Sequence, residues 1–197
     1  MGNEMSKAQA RRAKDARYAN RWFVGFGLDI GCGFDILTKS SDFPNIGDVV
    51  GYDSILGSGD AQYLLDIADN TFDFVVSSHC LEHMKAPDVA LGNWLRVLKP
   101  GGYLVTTIPE QDMYEHRHWP SRFNGDHKWS WTMKAASVRG TGDHVIYLPS
   151  FLQSFADNCD IEMLQLLTEH YDFGLADNID QTGGLAECAL EFVLRKN

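Results

Sequence analysis

The sequence predicts an α/β fold in which a mostly parallel sheet is closed by an antiparallel hairpin. Three observations carry this. Short apolar runs recur at 23–30, 48–53, 72–78 and 103–108, and each is bounded by turn or acidic residues. A run with helical spacing, 86–98, connects the last two of them, as a parallel crossover requires. The final two runs, 161–167 and 185–194, are joined by a polar, glycine-bearing loop at 174–184 with no helix between them, which is the pattern of a hairpin.

Residues 4–20 contain no Gly or Pro and are rich in Ala, Arg and Lys, so they favour a helix. Ala8, Ala13, Ala16 and Ala19 form only a weak apolar stripe, which predicts a helix lying loosely over the domain as a cap, a lid or a docking arm. The domain itself is expected over 23–197. A first strand, Phe23–Ile30, leads into a glycine turn and then a short helix over 34–40, broken at Pro44 and Asn45. Asp48–Asp53 is a short strand ending in an acid, and Gly57, Ser58 and Gly59 form a loop before Asp60 and Ala61. Asp69-Asn70 introduces the strand Phe72–Ser78. Pro87 suits the first turn of the helix at 86–98, and Pro100-Gly101-Gly102 ends it before Tyr103–Ile108. Residues 110–148 follow no single period and are expected to be an insertion over the carboxyl end of the sheet. A short helix is expected at 150–157.

With 44% hydrophobic and 22% charged residues, the 197-residue chain has the composition of an ordinary globular domain. Its net charge of -10 argues against a non-specific grip on nucleic acid, which needs Lys and Arg against phosphate. The charge is uneven: Lys7, Arg11, Arg12, Lys14, Arg17 and Arg21 stand against Glu4 and Asp15 at the start of the chain. The four cysteines are scattered without a C-x-x-C pair, so reduced thiols and a cytoplasmic location are expected. No apolar run approaches the length of a membrane span.

The stretch Leu28-Asp29-Ile30-Gly31-Cys32-Gly33-Phe34-Asp35 is the best candidate for a binding site. Gly31 and Gly33 allow a sharp turn and a close ligand approach, at the end of the sheet where open α/β folds bind their ligands. Asp29 suits a ligand with positive charge better than one with a pyrophosphate. A nicotinamide-dependent oxidoreductase would need G-x-G-x-x-G, and position 36 is Ile.

Five segments in this order resemble a class I S-adenosylmethionine-dependent methyltransferase, of the type 11 kind. They are Leu-Asp-Ile-Gly-Cys-Gly (28–33), Gly-Tyr-Asp (51–53), Gly-Asp-Ala (59–61), Asn-Thr-Phe-Asp-Phe-Val-Val-Ser-Ser (70–78), and Leu-Glu-His (81–83) with Leu-Arg-Val-Leu-Lys-Pro-Gly-Gly-Tyr-Leu (95–104). The resemblance implies a Rossmann-like methyltransferase fold with a seven-stranded sheet and helices on both faces. It implies S-adenosylmethionine as cofactor, held by Asp29, Gly31, Cys32, Gly33, Asp53, Ser54, Asp60, Ala61, Ser77, Ser78 and His79. Asp53 would accept the ribose hydroxyls and Asp60 would stand near the adenine. Two departures are visible. Asp35 stands where the family often has a third glycine, and the short gap from Asp53 to Asp60 trims the usual helix and strand between those acids.

The expected reaction is methyl transfer to a small-molecule or glycan acceptor, with a hydroxyl as the expected acceptor group. The alternative is a non-catalytic module that keeps the fold and binds the cofactor or a partner. His127, in Asn124-Gly125-Asp126-His127-Lys128-Trp129, is the preferred base, with Asp126 orienting it and nearby tryptophans stacking on a flat or sugar acceptor. This segment resembles one in methyltransferases associated with glycan assembly. His116, His118 and His83 are further candidates. His79-x-x-Glu82-His83 places three metal-capable residues on one turn, but the first is His where metal-binding relatives have an acid, so no metal is expected.

Overall fold

The computed structural model describes residues 4–135 and 142–197. Its main sheet has six strands: β1 (Gly25–Ile30), β2 (Ile46–Tyr52), β3 (Phe72–Ser78), β4 (Leu98–Pro109), β7 (Cys159–Leu167) and β8 (Ala189–Lys196). They lie in the order β2-β1-β3-β4-β8-β7. The first four are parallel, while β8 runs antiparallel to both β4 and β7. The expected α/β class and closing hairpin are therefore present. The expected seventh strand is not among the described residues, because the stretch between Asp53 and β3 forms only short turns, including Ser54–Leu56. β5 (Ser130–Thr132) and β6 (Val145–Tyr147) pair as a separate two-stranded sheet within the expected insertion. Residues 136–141 of that insertion lie outside those described.

Alternation along the strands sends side chains to two cores. Leu28, Ile30, Val75, Leu104 and Phe192 face the helices α2 (Pro87–Val97) and α3 (Leu148–Gln153). Trp94 of α2 is fully buried there, and its Nε1 donates to the Ala61 carbonyl at 2.8 Å. This bond ties the helix to the loop that carries Asp60.

Phe74, Val76, Val105 and Val193 face the other way, toward the N-terminal segment and residues 34–45. Here two expectations fail. No helix forms over 34–40, and residues 35–40 are irregular. Gly33 has φ +54°, a left-handed break. The Leu37 N–H, which a helix would bond to the carbonyl four residues back, is captured instead by Asp29 Oδ2 at 2.7 Å.

The N-terminal segment fills the space, and it does not lie loosely. α1 (Glu4–Arg12) buries Met5, Ala8 and Arg12, and the π-helical turn Tyr18–Trp22 buries Tyr18 and Trp22. Arg12 donates to Glu191 of β8 through Nε at 2.9 Å and Nη2 at 2.6 Å. Arg11 adds two further bonds, and Tyr18, Thr107 and Gln165 also donate to Glu191. Asp35 accepts from the backbone and hydroxyl of Ser6. The residue that departs from the family's glycine pattern thus anchors the start of α1.

Candidate functional site

The chain reverses direction across the sheet between β1 and β3, the switch point where α/β sheets open a crevice. Two cavities of about 410 and 770 Å³ flank this point, and both are lined by Gly31, Asp53 and His79. Gly31 must be glycine. Its φ is +71°, and a Cβ there would come within 2.5 Å of the Cys80 side chain.

The smaller cavity is lined by Asp29, Cys32, Gly33 and Ser78, together with Glu4 and Met5 of α1. Asp29 is fully buried. One of its oxygens braces Leu37, but Oδ1 has no hydrogen-bond partner, and neither does the Ser78 hydroxyl. Burial, helped by Asp35 and Asp53, pushes the Asp29 carboxyl up to about 7, against the Leu37 N–H and Arg12, which pull it down. Two unsatisfied polar atoms at a cavity wall are costly unless a ligand meets them.

The larger cavity is lined by Ser54, Asp60 and Ala61 on one side and by His83, Met84 and Asp126 on the other. Asp53 joins the two cavities. Its Oδ2 accepts from Gly33 N at 2.9 Å and its Oδ1 from Ile55 N at 2.9 Å, so both loops hold the carboxylate in place. Asp60 Oδ1 accepts from Gln62 N.

Ten of the eleven expected cofactor residues therefore line one or both cavities. Ser77 does not. It is fully buried, and its hydroxyl donates to the Ile30 carbonyl at 3.0 Å, a bond between β3 and β1.

His79, at the end of β3, has φ +54°. Its Nδ1 lies 3.6 Å from Glu82 and its Nε2 lies 3.6 Å from Glu4. Burial lowers its pKa, but the two glutamates outweigh this and leave it raised. Next to it, the turn Leu81–His83 carries Glu82, whose side chain is 1% exposed and whose two oxygens have no hydrogen-bond partner. Burial alone would raise this carboxyl, yet His79, His83 and His127 hold it below the usual value.

The structure brings His83 and His127 together at 5.0 Å between ring centroids, with His127 almost fully buried. The expected partner of His127 is wrong. Asp126 pairs with His83 and Lys128, because adjacent side chains diverge from the backbone. His127 Nδ1 is instead paired with Glu115 at 2.8 Å, and Tyr114 stacks on the ring. Nothing in the sequence singles out Glu115, twelve residues away.

His116 is turned toward Asp177, and His118 contacts Arg122, so neither joins the His83–His127 pair. The tryptophans expected to stack on an acceptor are engaged elsewhere. Trp131 is fully buried against Phe151, Trp129 donates to the Met84 carbonyl, and Trp119 stacks on His144. Glu4 and Met5 are lining residues that sequence reading does not assign, because no local motif shows that α1 reaches the cavity.

This architecture, with its ligand crevice at the ends of β1 and β3, is the class I S-adenosylmethionine-dependent methyltransferase fold. A solved structure of an S-adenosylmethionine-dependent methyltransferase from Mesorhizobium loti aligns with a TM-score of 0.62 at 16% identity, covering 96% of this chain and 99% of that one. The N-methyltransferase NodS from Bradyrhizobium japonicum, solved with S-adenosyl-l-homocysteine, aligns with a TM-score of 0.55 at 14% identity, covering 98% and 86%.

In sequence, residues 28–106, the stretch that holds the strands building the crevice, match the methyltransferase domain family model. The Aspergillus luteorubrus protein named Probable methyltransferase ltbC is 36% identical over 43% of this chain. The ubiquinone/menaquinone biosynthesis C-methyltransferase UbiE of Saccharophagus degradans is 41% identical over 34% of it. The matches cover 29% and 31% of those relatives, so the chain spans about a third of the length of the curated relatives it matches.

Proposed function

We propose that the chain is an S-adenosylmethionine-dependent methyltransferase acting on a small-molecule or glycan hydroxyl. The observation that carries the cofactor half is the pair of unsatisfied polar atoms, Asp29 Oδ1 and Ser78 Oγ, in a cavity floored by a left-handed Gly31. They fit the charged amino-acid end of the cofactor. Asp53, held by Gly33 N and Ile55 N, supports a ribose-accepting role, and such charge-assisted bonds are worth roughly 1.5–3 kcal/mol each. Asp60 and Ala61 line the adenine side, and Cys32, Gly33, Ser54 and His79 complete the walls.

When bound, the cofactor supplies an electrophilic methyl group on a cationic sulfur. The chain's contribution is to hold an acceptor in line with it. His83 lines the larger cavity and pairs with Asp126, which supports a role as the base that takes a hydroxyl proton. His127 backs it from the buried side.

Incubation with methyl-labelled S-adenosylmethionine and panels of phenolic and saccharide acceptors tests this reading. Label in a hydroxyl-bearing acceptor, lost in His83→Ala while S-adenosylhomocysteine binding persists, is the expected result. Cofactor binding with no labelled acceptor in any panel would favour a non-catalytic module.

A further inference from the structure

We propose that Glu82, His83 and His127 form a binding site for a divalent transition metal, opening onto the larger cavity. One ligand atom from each of the three lies within 4.8 Å of the other two. Glu82 Oε1 is 3.9 Å from His83 Nε2 and 4.0 Å from His127 Nε2. Those separations are too long for hydrogen bonds. They are slightly wider than the roughly 3.4 Å edge of a tetrahedron built from metal–nitrogen bonds of about 2.1 Å.

The surrounding shell supports the same reading. Each histidine has its Nδ1 on a carboxylate, His83 on Asp126 at 3.1 Å and His127 on Glu115 at 2.8 Å. That leaves each Nε2 directed at Glu82. Carboxylate–histidine pairs of this kind orient metal ligands and fix their tautomer. The Glu82 carbonyl accepts from Lys128 N at 2.8 Å and Trp129 N at 3.2 Å, which fastens the His127 segment to the turn carrying Glu82. A carboxylate that is 1% exposed and accepts no hydrogen bond is the independent sign that something is meant to sit there.

Two imidazoles and one carboxylate suit Zn²⁺, Co²⁺ or Mn²⁺, and the set leaves coordination positions open. His83, alone of the three, lines the larger cavity, so the site is reached from the space assigned to the acceptor. The site stands on its own geometry, and its catalytic use rests on the methyl-transfer reading. In that use the ion takes the place of a free His83 base, since His83 Nε2 is then ligated: it would acidify the acceptor hydroxyl held beside it, whose proton passes to solvent. The oxygen then forms the new bond to the methyl carbon, and the carbon–sulfur electrons stay with sulfur.

The test is a titration of chelator-stripped full-length protein with Co²⁺, read by visible absorption, and with Zn²⁺ by competition. One equivalent bound with micromolar affinity or better is expected. Glu82→Gln should weaken it at least 100-fold, and Glu115→Gln, which leaves all three ligands in place, by 10- to 100-fold. His170→Ala, an exposed histidine away from the cluster, should leave it unchanged. Folding of each variant is checked by thermal unfolding. S-adenosylhomocysteine binding by all variants separates this proposal from the cofactor reading, since it should survive loss of the metal. Absence of stoichiometric binding, or equal affinity in Glu82→Gln, would overturn the site and leave a cluster of histidines paired with a buried carboxylate.

Discussion

Glu191 and Glu82 are both fully buried, yet their surroundings are opposite. Glu191, the third residue of β8, takes bonds from Arg11, Arg12, Tyr18, Thr107 and Gln165. Glu82 accepts none and has three histidines at 3.6–4.0 Å. A carboxylate saturated by fixed donors is spent on holding the fold together. One left without a hydrogen bond beside cavity-lining histidines is available to a ligand, and its burial is a cost the rest of the fold offsets. The first glutamate staples the N-terminal segment to the sheet, and the second stands where chemistry is expected.

The comparison breaks most visibly at Arg12. Arg12→Ala leaves a buried charge short of its partner and should cost about 3–5 kcal/mol in urea unfolding. Arg12 and Arg11 hold Glu191 well below the ordinary carboxylate range, although burial opposes them. This stabilisation is present above the unfolded-state value of about 4.3 and is lost as pH falls through the lower folded-state value. Stability measured between pH 5 and 2 should therefore fall less steeply in Glu191→Gln.

Asp29 has the opposite sign. Its folded-state value is raised to about 7, so it is neutral below that pH and charged above it. Affinity for the cationic cofactor should rise roughly tenfold from pH 6 to 8, and Asp29→Asn should abolish this dependence in calorimetry. A smaller effect is expected at Glu82. Glu82→Gln removes the carboxylate that His79, His83 and His127 hold below its usual value, so it should lower unfolding stability at pH 7 by about 1 kcal/mol, less than Arg12→Ala, while abolishing turnover. Smallest of all is Lys14→Ala. It breaks an exposed pair with Glu169 and should cost about 0.5 kcal/mol or less in the same urea assay.

Much of this was legible in the sequence. β3 falls at 72–78 as its apolar pattern predicts, and the helix expected at 86–98 spans Pro87–Val97. Asp29, Gly31 and Asp53 line the crevice because strand ends, which local patterns mark, set their positions, and Asp60 reaches it from the glycine-flanked loop beyond β2. The failures came where a distant contact decided the outcome. The helix at 34–40 lost to the Asp29–Leu37 bond. The alanine stripe understated α1, whose docking rests on Met5 and on two arginines meeting a glutamate about 180 residues away. His127 took Glu115 as partner, not its neighbour Asp126, because a fold in the insertion, not sequence adjacency, sets which carboxylate faces the ring.

Calorimetric titration with S-adenosylmethionine and S-adenosylhomocysteine tests the central claim most directly. One-to-one binding of both is predicted, weakened more than tenfold by Asp53→Ala in a protein that still folds. Absence of heat with either compound, or unchanged affinity in Asp53→Ala, would contradict it.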